Sequence, residues 1–394
     1  MDALTEKVKK AHEERFDNTP LMVYSPGRVN LIGEHTDYNN GFVLPAAIDR
    51  AIILAMSRND TGKIRLLSVD MDSEYFELSV NPKYHKVETG WVNYILGVVE
   101  ELQKAGYYTD DFGNLIGGFD CVFGGDIPIG AGLSSSAALG GGVAYGLSKL
   151  FGLGVKRREM AKIAQLAENR FVGVRCGIMD QFASLYGKKD RVIKLDCRSL
   201  EFERYPFVWN ELCILLCDTN IRRELVGSNY NLRRQQCEEG VAVIKKTDPA
   251  VESLRDVSII QLESHKRELD EVVYRRCRYV LEENERLRQA CEHLLAEDLY
   301  AFGQKMYQSH YGLRDDYGVS CKELDLLVEA AENMNGVIGS RMMGGGFGGC
   351  TINLVTREAL GEAKANIGDY YTKHTGMFPG FHVVTIGEGT HLIK

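Results

Sequence analysis

Residues Gly27–Gly41 read GRVNLIGEHTDYNNG. Glu34, His35 and Asp37 fall within four positions of one another, directly after Gly33. The flanks, VNLI at 29–32 and FVLPAAI at 42–48, are apolar enough to be core. A polar cluster anchored between two buried segments is not a solvated loop, because its groups need partners once water is excluded. It suits a small ligand carrying many hydroxyls.

The chain has 394 residues, too many for one core and about right for two domains. Charged residues make up 26% and hydrophobic ones 44%, an ordinary balance for a soluble globular protein. The net charge of -8 argues against nucleic acid or an anionic membrane as partner. A polyphosphate would therefore be held by local donors and a metal, not by the overall field. The ten cysteines contain no C-x-x-C pair, which disfavours a zinc site and suggests free thiols in a reducing cytoplasm. Met1–Phe16 has the spacing of an amphipathic helix and not of a signal peptide. Ile127–Ser148 carries no charge, but Pro128, six glycines and Ser134–Ser136 make it a poor membrane span.

Outward from the opening block, strands are expected at Met22–Tyr24, Ala51–Ser57, Lys63–Val69 and Phe119–Phe123, with a turn at Asn59–Gly62. Helical spacing marks Trp91–Lys104, Ser135–Phe151 and Arg158–Val172. Glu211–Thr219 reads as a buried strand. Helical tracts follow at Ser228–Lys246 and Lys266–Met306, then strands at Thr351–Val355 and His382–Ile386 with a helix near Arg357–Thr372 between them. The expected division is 1–205 and 206–394.

Three segments could carry chemistry. Gly124–Ala138 reads GGDIPIGAGLSSSAA, in which glycines allow close approach and serines can cap a helix. The free N–H groups of such a helix end form an anion site. The same residues also fit a plain glycine-rich turn, and the Gly-Lys-Ser/Thr ending of a P-loop is missing. Met342–Cys350 contains G-x-G-x-x-G at Gly344, Gly346 and Gly349. It precedes a strand instead of following one, which speaks against a dinucleotide fingerprint and a dehydrogenase. Asp180, in GIMDQF, reads by itself more readily as a helix cap than as a catalyst.

Taken together, the opening block, PIGAGLSSSAAL (128–139) and MMGGGFGGC (342–350) resemble the three ordered motifs of the galactokinases. These belong to the larger family of small-molecule kinases that includes homoserine, mevalonate and phosphomevalonate kinases. CGIMDQFAS (176–184) is similar to the tract that holds the family's catalytic aspartate. Glu168 in AQLAENRF matches its metal-binding glutamate, although Asn169 stands where the family commonly has His. SNYNLRRQQCEE (228–239) resembles the tract with a sugar-contacting tyrosine, here Tyr230, with Asn229 as a further departure. RRCRYVLEEN (275–284) and VSCKELDLLVEAA (319–331) extend the likeness over essentially the whole chain.

The resemblance implies an α+β fold of two domains: an N-terminal one like ribosomal protein S5, a C-terminal ferredoxin-like one, and the active site between them. It implies transfer of the ATP γ-phosphoryl group to the anomeric hydroxyl of galactose, the first step of galactose catabolism. Asp180 and Arg28 would be catalytic. Glu34, His35, Thr36, Asp37, Gly177 and Tyr230 would bind the sugar. Gly130, Ala131, Gly132, Leu133, Ser134, Ser135 and Ser136 would hold the ATP phosphates, and Ser136 with Glu168 would hold Mg²⁺. Ser68 and Trp91 could line the nucleotide pocket or belong to the core. Arg28 close to Asp180 would make it a weaker base, which a loose transition state tolerates. Arg222, Arg223, Arg233 and Arg234 read as solvated helix faces, of which one could touch substrate. The expected partner is the small-molecule sugar, with no nucleic acid or membrane, in a monomer or small homo-oligomer. Two rivals are a kinase for N-acetylgalactosamine or arabinose and a catalytically silent galactose/ATP sensor.

Overall fold

The computed structural model describes residues 2–70, 74–109, 116–128, 130–221 and 226–394. Arg222 and Arg223 lie outside the described residues, as does Ile129 of the glycine-rich segment. Leu21–Asn30 and Pro45–Arg58 pair antiparallel and carry the opening block between them. The second of these strands begins six residues before Ala51, because beyond the bulge Pro45, Ala46 and Ala47 still pair with Asn30, Val29 and Arg28. With Phe119–Gly125, Lys63–Ser68 and Tyr75–Ser79 they build a six-stranded sheet. Its outer member is His391–Leu392, which returns from the chain's end to pair with Leu21–Asn30. Residues near the C-terminus are therefore part of the first layer, and the expected division at 205/206 is crossed by the tail.

Helix Ala3–Phe16, N-capped by Asp2, covers one face of this sheet through Val8 and Phe16. Helices Ser135–Leu150 and Met179–Tyr186 lie on the other, with Val92–Lys104 and Arg157–Leu166 packed against them. The charge-free stretch is explained by this packing: a Cβ at Gly142 would stand 2.7 Å from Leu54, and one at Gly146 2.3 Å from Met56. Small residues let the helix lie directly on the sheet. Among the described residues no helix is long and apolar enough to cross a membrane.

The second layer is an antiparallel sheet in the order Val337–Met342, Cys350–Thr356, Leu212–Asp218 and Gly380–Val384. Helices Lys322–Glu332 and Leu360–Thr375 pack on one face. The tract read as one helical run from Lys266 splits at Asp298, whose carboxylate accepts from the Ala301 N–H and starts a new helix. The two pieces are Glu271–Leu295 and Leu299–Tyr311. A small sheet of Phe42–Val43, Arg191–Asp196 and Phe202–Pro206 lies beside them. All ten cysteines are free thiols.

Candidate active site

The register of the first two strands shifts between Pro26 and Arg28, a bulge that re-aims the arginine. Its guanidinium is nearly buried and grips Asp180 at both oxygens, 2.8 Å each, while Nη1 donates to the Gly132 carbonyl at 2.5 Å. Asp180 sits in the first turn of helix Met179–Tyr186. It also accepts the Ser134 hydroxyl, so this serine holds the aspartate and does not cap the helix it precedes. A charge-assisted, two-pronged pair of this kind fixes both side chains.

Around the pair lies a cavity of about 300 Å³, bordered by Glu34, His35, Asp37, Glu168, Gly177 and Tyr230 among others. Glu34 accepts from the Gly344 N–H at 2.9 Å and from Arg341 at 2.8 Å. Gly344, at φ 81°, turns its N–H toward that carboxylate in a backbone conformation costly for other residues. His35 adopts φ 62°, and burial pushes its pKa down to about 3, so the ring is neutral. Asp37 is pushed up to about 7, first by burial and then by the charge of Asp180. Gly177 is the residue that makes room for it: a Cβ there would fall 1.9 Å from Asp37 Oδ2.

Glu168 lies in a π-helical turn, Ala167–Val172, that interrupts the helix expected to run unbroken to Val172. Such turns often mark functional sites, because the extra residue re-aims a side chain. Its carboxyl is pushed up to about 7, chiefly by burial and then by Asp180, with the hydroxyl of Ser136 among its hydrogen-bond donors. Gln181 donates to its other side at 3.0 Å.

A second cavity, also about 300 Å³, adjoins the first and shares Ser136 with it. Its lining is mostly apolar, with Ile52, Trp91, Tyr94, Phe123, Ile127 and Leu139, plus Ser68 and Ser135. Ser68 and Trp91 thus line a pocket and are not merely core. The indole N–H of Trp91 is taken by Glu74 at 2.6 Å, which leaves the ring face for a planar ligand. Ser135 and Ser136, which line this space, form the first turn of a sixteen-residue helix, the end at which helices carry unpaired N–H groups.

Some expected residues stand elsewhere. Thr36 does not line the sugar-sized cavity: its hydroxyl donates to the Gly33 and Phe42 carbonyls and closes the turn beneath it. Gly130, Ala131, Gly132, Leu133 and Ser134 border neither cavity as lining, because the loop turns inward. The carbonyls of Gly132 and Leu133 accept from Arg28. Arg233 is partly buried, and its Nε and Nη2 donate to the Tyr317 and Gly318 carbonyls. Arg341 was missed, although a lone arginine in the apolar run VIGSRMM is a signal for a buried pair. It is fully buried, bonding the Asn30, Leu31 and Met342 carbonyls besides Glu34, and so ties the third glycine loop to the opening block.

A helix end open to phosphate and a polyol-sized acceptor cavity that meet at one serine are the working parts of a small-molecule kinase. The class is that of the GHMP kinases, whose N-terminal domain profile matches residues 93–188 and whose C-terminal profile matches 284–373. The galactokinase galactose-binding signature matches residues 10–58. The chain is 40% identical to a galactokinase of Roseiflexus sp. (strain RS-1), over 98% of this chain and 96% of that one. It is 41% identical to one of Clostridium perfringens (strain 13 / Type A), over 97% and 98%. The chain belongs to the galactokinase family. Its fold superposes on the crystal structure of Lactococcus lactis galactokinase complexed with galactose with a TM-score of 0.93 at 35% identity, covering 98% and 99% of the two chains. The Methanococcus jannaschii mevalonate kinase shares the fold alone, with a TM-score of 0.62 at 16% identity, over 94% and 99%.

Proposed function

We propose that this chain transfers the γ-phosphoryl group of ATP to the anomeric hydroxyl of galactose, with Mg²⁺, in a reducing cytoplasm. The observation that carries this reading is the meeting of the two cavities at Ser136, with the Arg28–Asp180 pair on the sugar side. The name galactokinase borne by relatives of about 40% identity supports galactose over other sugars.

Glu34, His35, Asp37 and Tyr230 orient the sugar, Glu34 through its acceptor oxygens and Tyr230 through its ring. Asp180 accepts a hydrogen bond from the attacking hydroxyl and takes its proton as the P–O bond to ADP breaks. Arg28 sits against the same carboxylate and stabilises the charge that spreads over the moving phosphoryl oxygens. Because such transition states are loose, positioning matters more than a strong base, and the pinned carboxylate meets that need. An all-oxygen pair, Ser136 and Glu168, suits a hard divalent cation. Burial and then the Asp180 charge push the Glu168 carboxyl up to about 7, a penalty on its ionised form that a bound divalent cation would offset. Mg²⁺ there would neutralise phosphate charge. Helix 135–150 would receive the phosphates at its N-terminus, and the apolar pocket the base.

The test is ADP release by purified protein with Mg·ATP and a panel of galactose, N-acetylgalactosamine, arabinose and glucose. Strong turnover with galactose supports the proposal. Galactose binding without turnover would favour the silent sensor, and turnover with another sugar alone would mean the pocket is shaped for that one.

A further inference from the structure

One line of polar atoms leads from His35, at the sugar-sized cavity, to residues given no role above. His35 Nδ1 lies 2.7 Å from the Tyr38 hydroxyl, which lies 2.7 Å from the Tyr317 hydroxyl. Tyr317 in turn lies 3.3 Å from Cys237 Sγ. At the inner end, His35 Nε2 is buried with no hydrogen bond of ordinary geometry among the described residues, the Gly345 backbone acts on the ring, and His35 borders the cavity. The ring is packed against Tyr230 and Tyr317, with centroids 5.3 and 4.9 Å away. Asn39 fixes its backbone by donating to the His35 carbonyl at 2.9 Å.

A neutral imidazole has one N–H, and the hydrogen bond made by one nitrogen decides what the other can offer. The Tyr38 phenol has a single proton and stands between a ring nitrogen and a second phenol. The imidazole nitrogen is the more basic of those two acceptors, so the proton goes to Nδ1. Tyr38 oxygen then accepts from Tyr317, and Tyr317 oxygen is left to the weak thiol donor Cys237. That order satisfies each oxygen once as donor and once as acceptor, and it leaves the ring proton on Nε2. A ring N–H would add a donor to a lining rich in acceptors, beside the hydroxyls of Ser136 and Tyr230. Glu34, Asp37, Glu168 and Asp180 border it with carboxylates, and Arg28 is already held by Asp180 and Gly132.

We infer that Tyr38, backed by Tyr317, is a positioning residue that fixes His35 as the Nε2–H tautomer and so makes it a hydrogen-bond donor to a substrate hydroxyl. The identity of that substrate as galactose rests on the function proposed above; the tautomer does not.

The decisive experiment is nitrogen-15 NMR of histidine-labelled protein, with the His35 signal assigned by its loss in His35→Gln. The native protein is expected to show a protonated Nε2 and a bare Nδ1. A protonated Nδ1 overturns the inference whether or not any variant folds. In Tyr38→Phe the tautomer should become mixed and KM for galactose should rise roughly three- to tenfold. Turnover number and KM for ATP should stay unchanged, a split that general loosening of the fold would not produce. A Tyr38→Phe protein with the native nitrogen spectrum and native KM also overturns it. If the native enzyme phosphorylates no galactose, the proposed function fails while the spectrum still decides the tautomer.

Discussion

Replacing Gly177 with alanine tests the geometry of the sugar-sized cavity at its tightest point. The new Cβ would stand 1.9 Å from Asp37 Oδ2 and 2.1 Å from its Cγ. Carbon atoms rest at about 3.5 Å or more, so the carboxylate must retreat by roughly 1.4 Å. The φ of Gly177 is not positive, so space and not backbone freedom is what the glycine supplies. Asp37 is otherwise held by the Tyr38 N–H at 2.9 Å and by the Met179 backbone, and a shift of that size breaks any bond it makes to a sugar hydroxyl. A hydrogen bond to a charged group contributes about 1.5–3 kcal/mol, which corresponds to a rise in KM of about 10- to 150-fold. The assay is steady-state ADP release with galactose varied at saturating Mg·ATP. KM for ATP should hold, since the nucleotide cavity does not include Gly177. The mechanism makes a sharper demand in a double-mutant cycle. Once Asp37→Ala has removed the carboxylate, adding Gly177→Ala should change KM by no more than about twofold. A Gly177→Ala enzyme with KM within twofold of the parent, or full additivity in the double variant, would refute the reasoning.

Other predictions follow from the same geometry. Asp180→Asn should reduce kcat by about 10²- to 10⁴-fold while calorimetry still shows galactose binding. Arg28→Lys, which keeps charge but loses the two-pronged grip, should lower kcat by about 10²-fold or more with little change in either KM. Because Glu168 is pushed up to about 7, ligand-free protein holds a proton there between about pH 4.5 and 7 that the unfolded chain lacks. Its contribution to stability therefore falls as pH rises through that window, and Mg·ATP binding should release a proton. Calorimetry in buffers of different ionisation enthalpy should detect this release near pH 6.5, much less of it near pH 8.5, and none from this site in Glu168→Gln. Gly142→Ala, which pushes a Cβ to 2.7 Å from Leu54 and 2.8 Å from Ser25, should destabilise the fold by about 1–3 kcal/mol in urea unfolding.

Much of this site was legible because its chemistry sits in short, ordered motifs. Arg28, Asp180, Ser136 and Glu168 are distant in sequence, yet each lies beside a glycine, a bulge or a helix end that fixes its direction. What stayed hidden depended on long-range packing. Strand Val337–Met342 went unrecognised because Gly339, Ser340 and Arg341 interrupt its apolar run, and Arg341 is tolerable there only against Glu34. Tyr317 gives no local sign of reaching Tyr38, 279 positions away. The π-turn at Glu168 cannot be told from a regular helix by periodicity. Nor does HLIK at the chain's end reveal that His391 and Leu392 complete the first sheet. Thr36 looked like a ligand contact because it stands inside the motif; the turn needs its hydroxyl more.

The central claim is phosphoryl transfer to the sugar's anomeric oxygen at the junction of the two cavities. The most direct measurement is phosphorus–proton correlated NMR of the product formed from galactose and Mg·ATP, run in parallel with Asp180→Asn. The account predicts a phosphate coupled to the anomeric proton, formed by the native chain and not detectably by the variant. A phosphate on any other carbon, or undiminished product from Asp180→Asn, would contradict it.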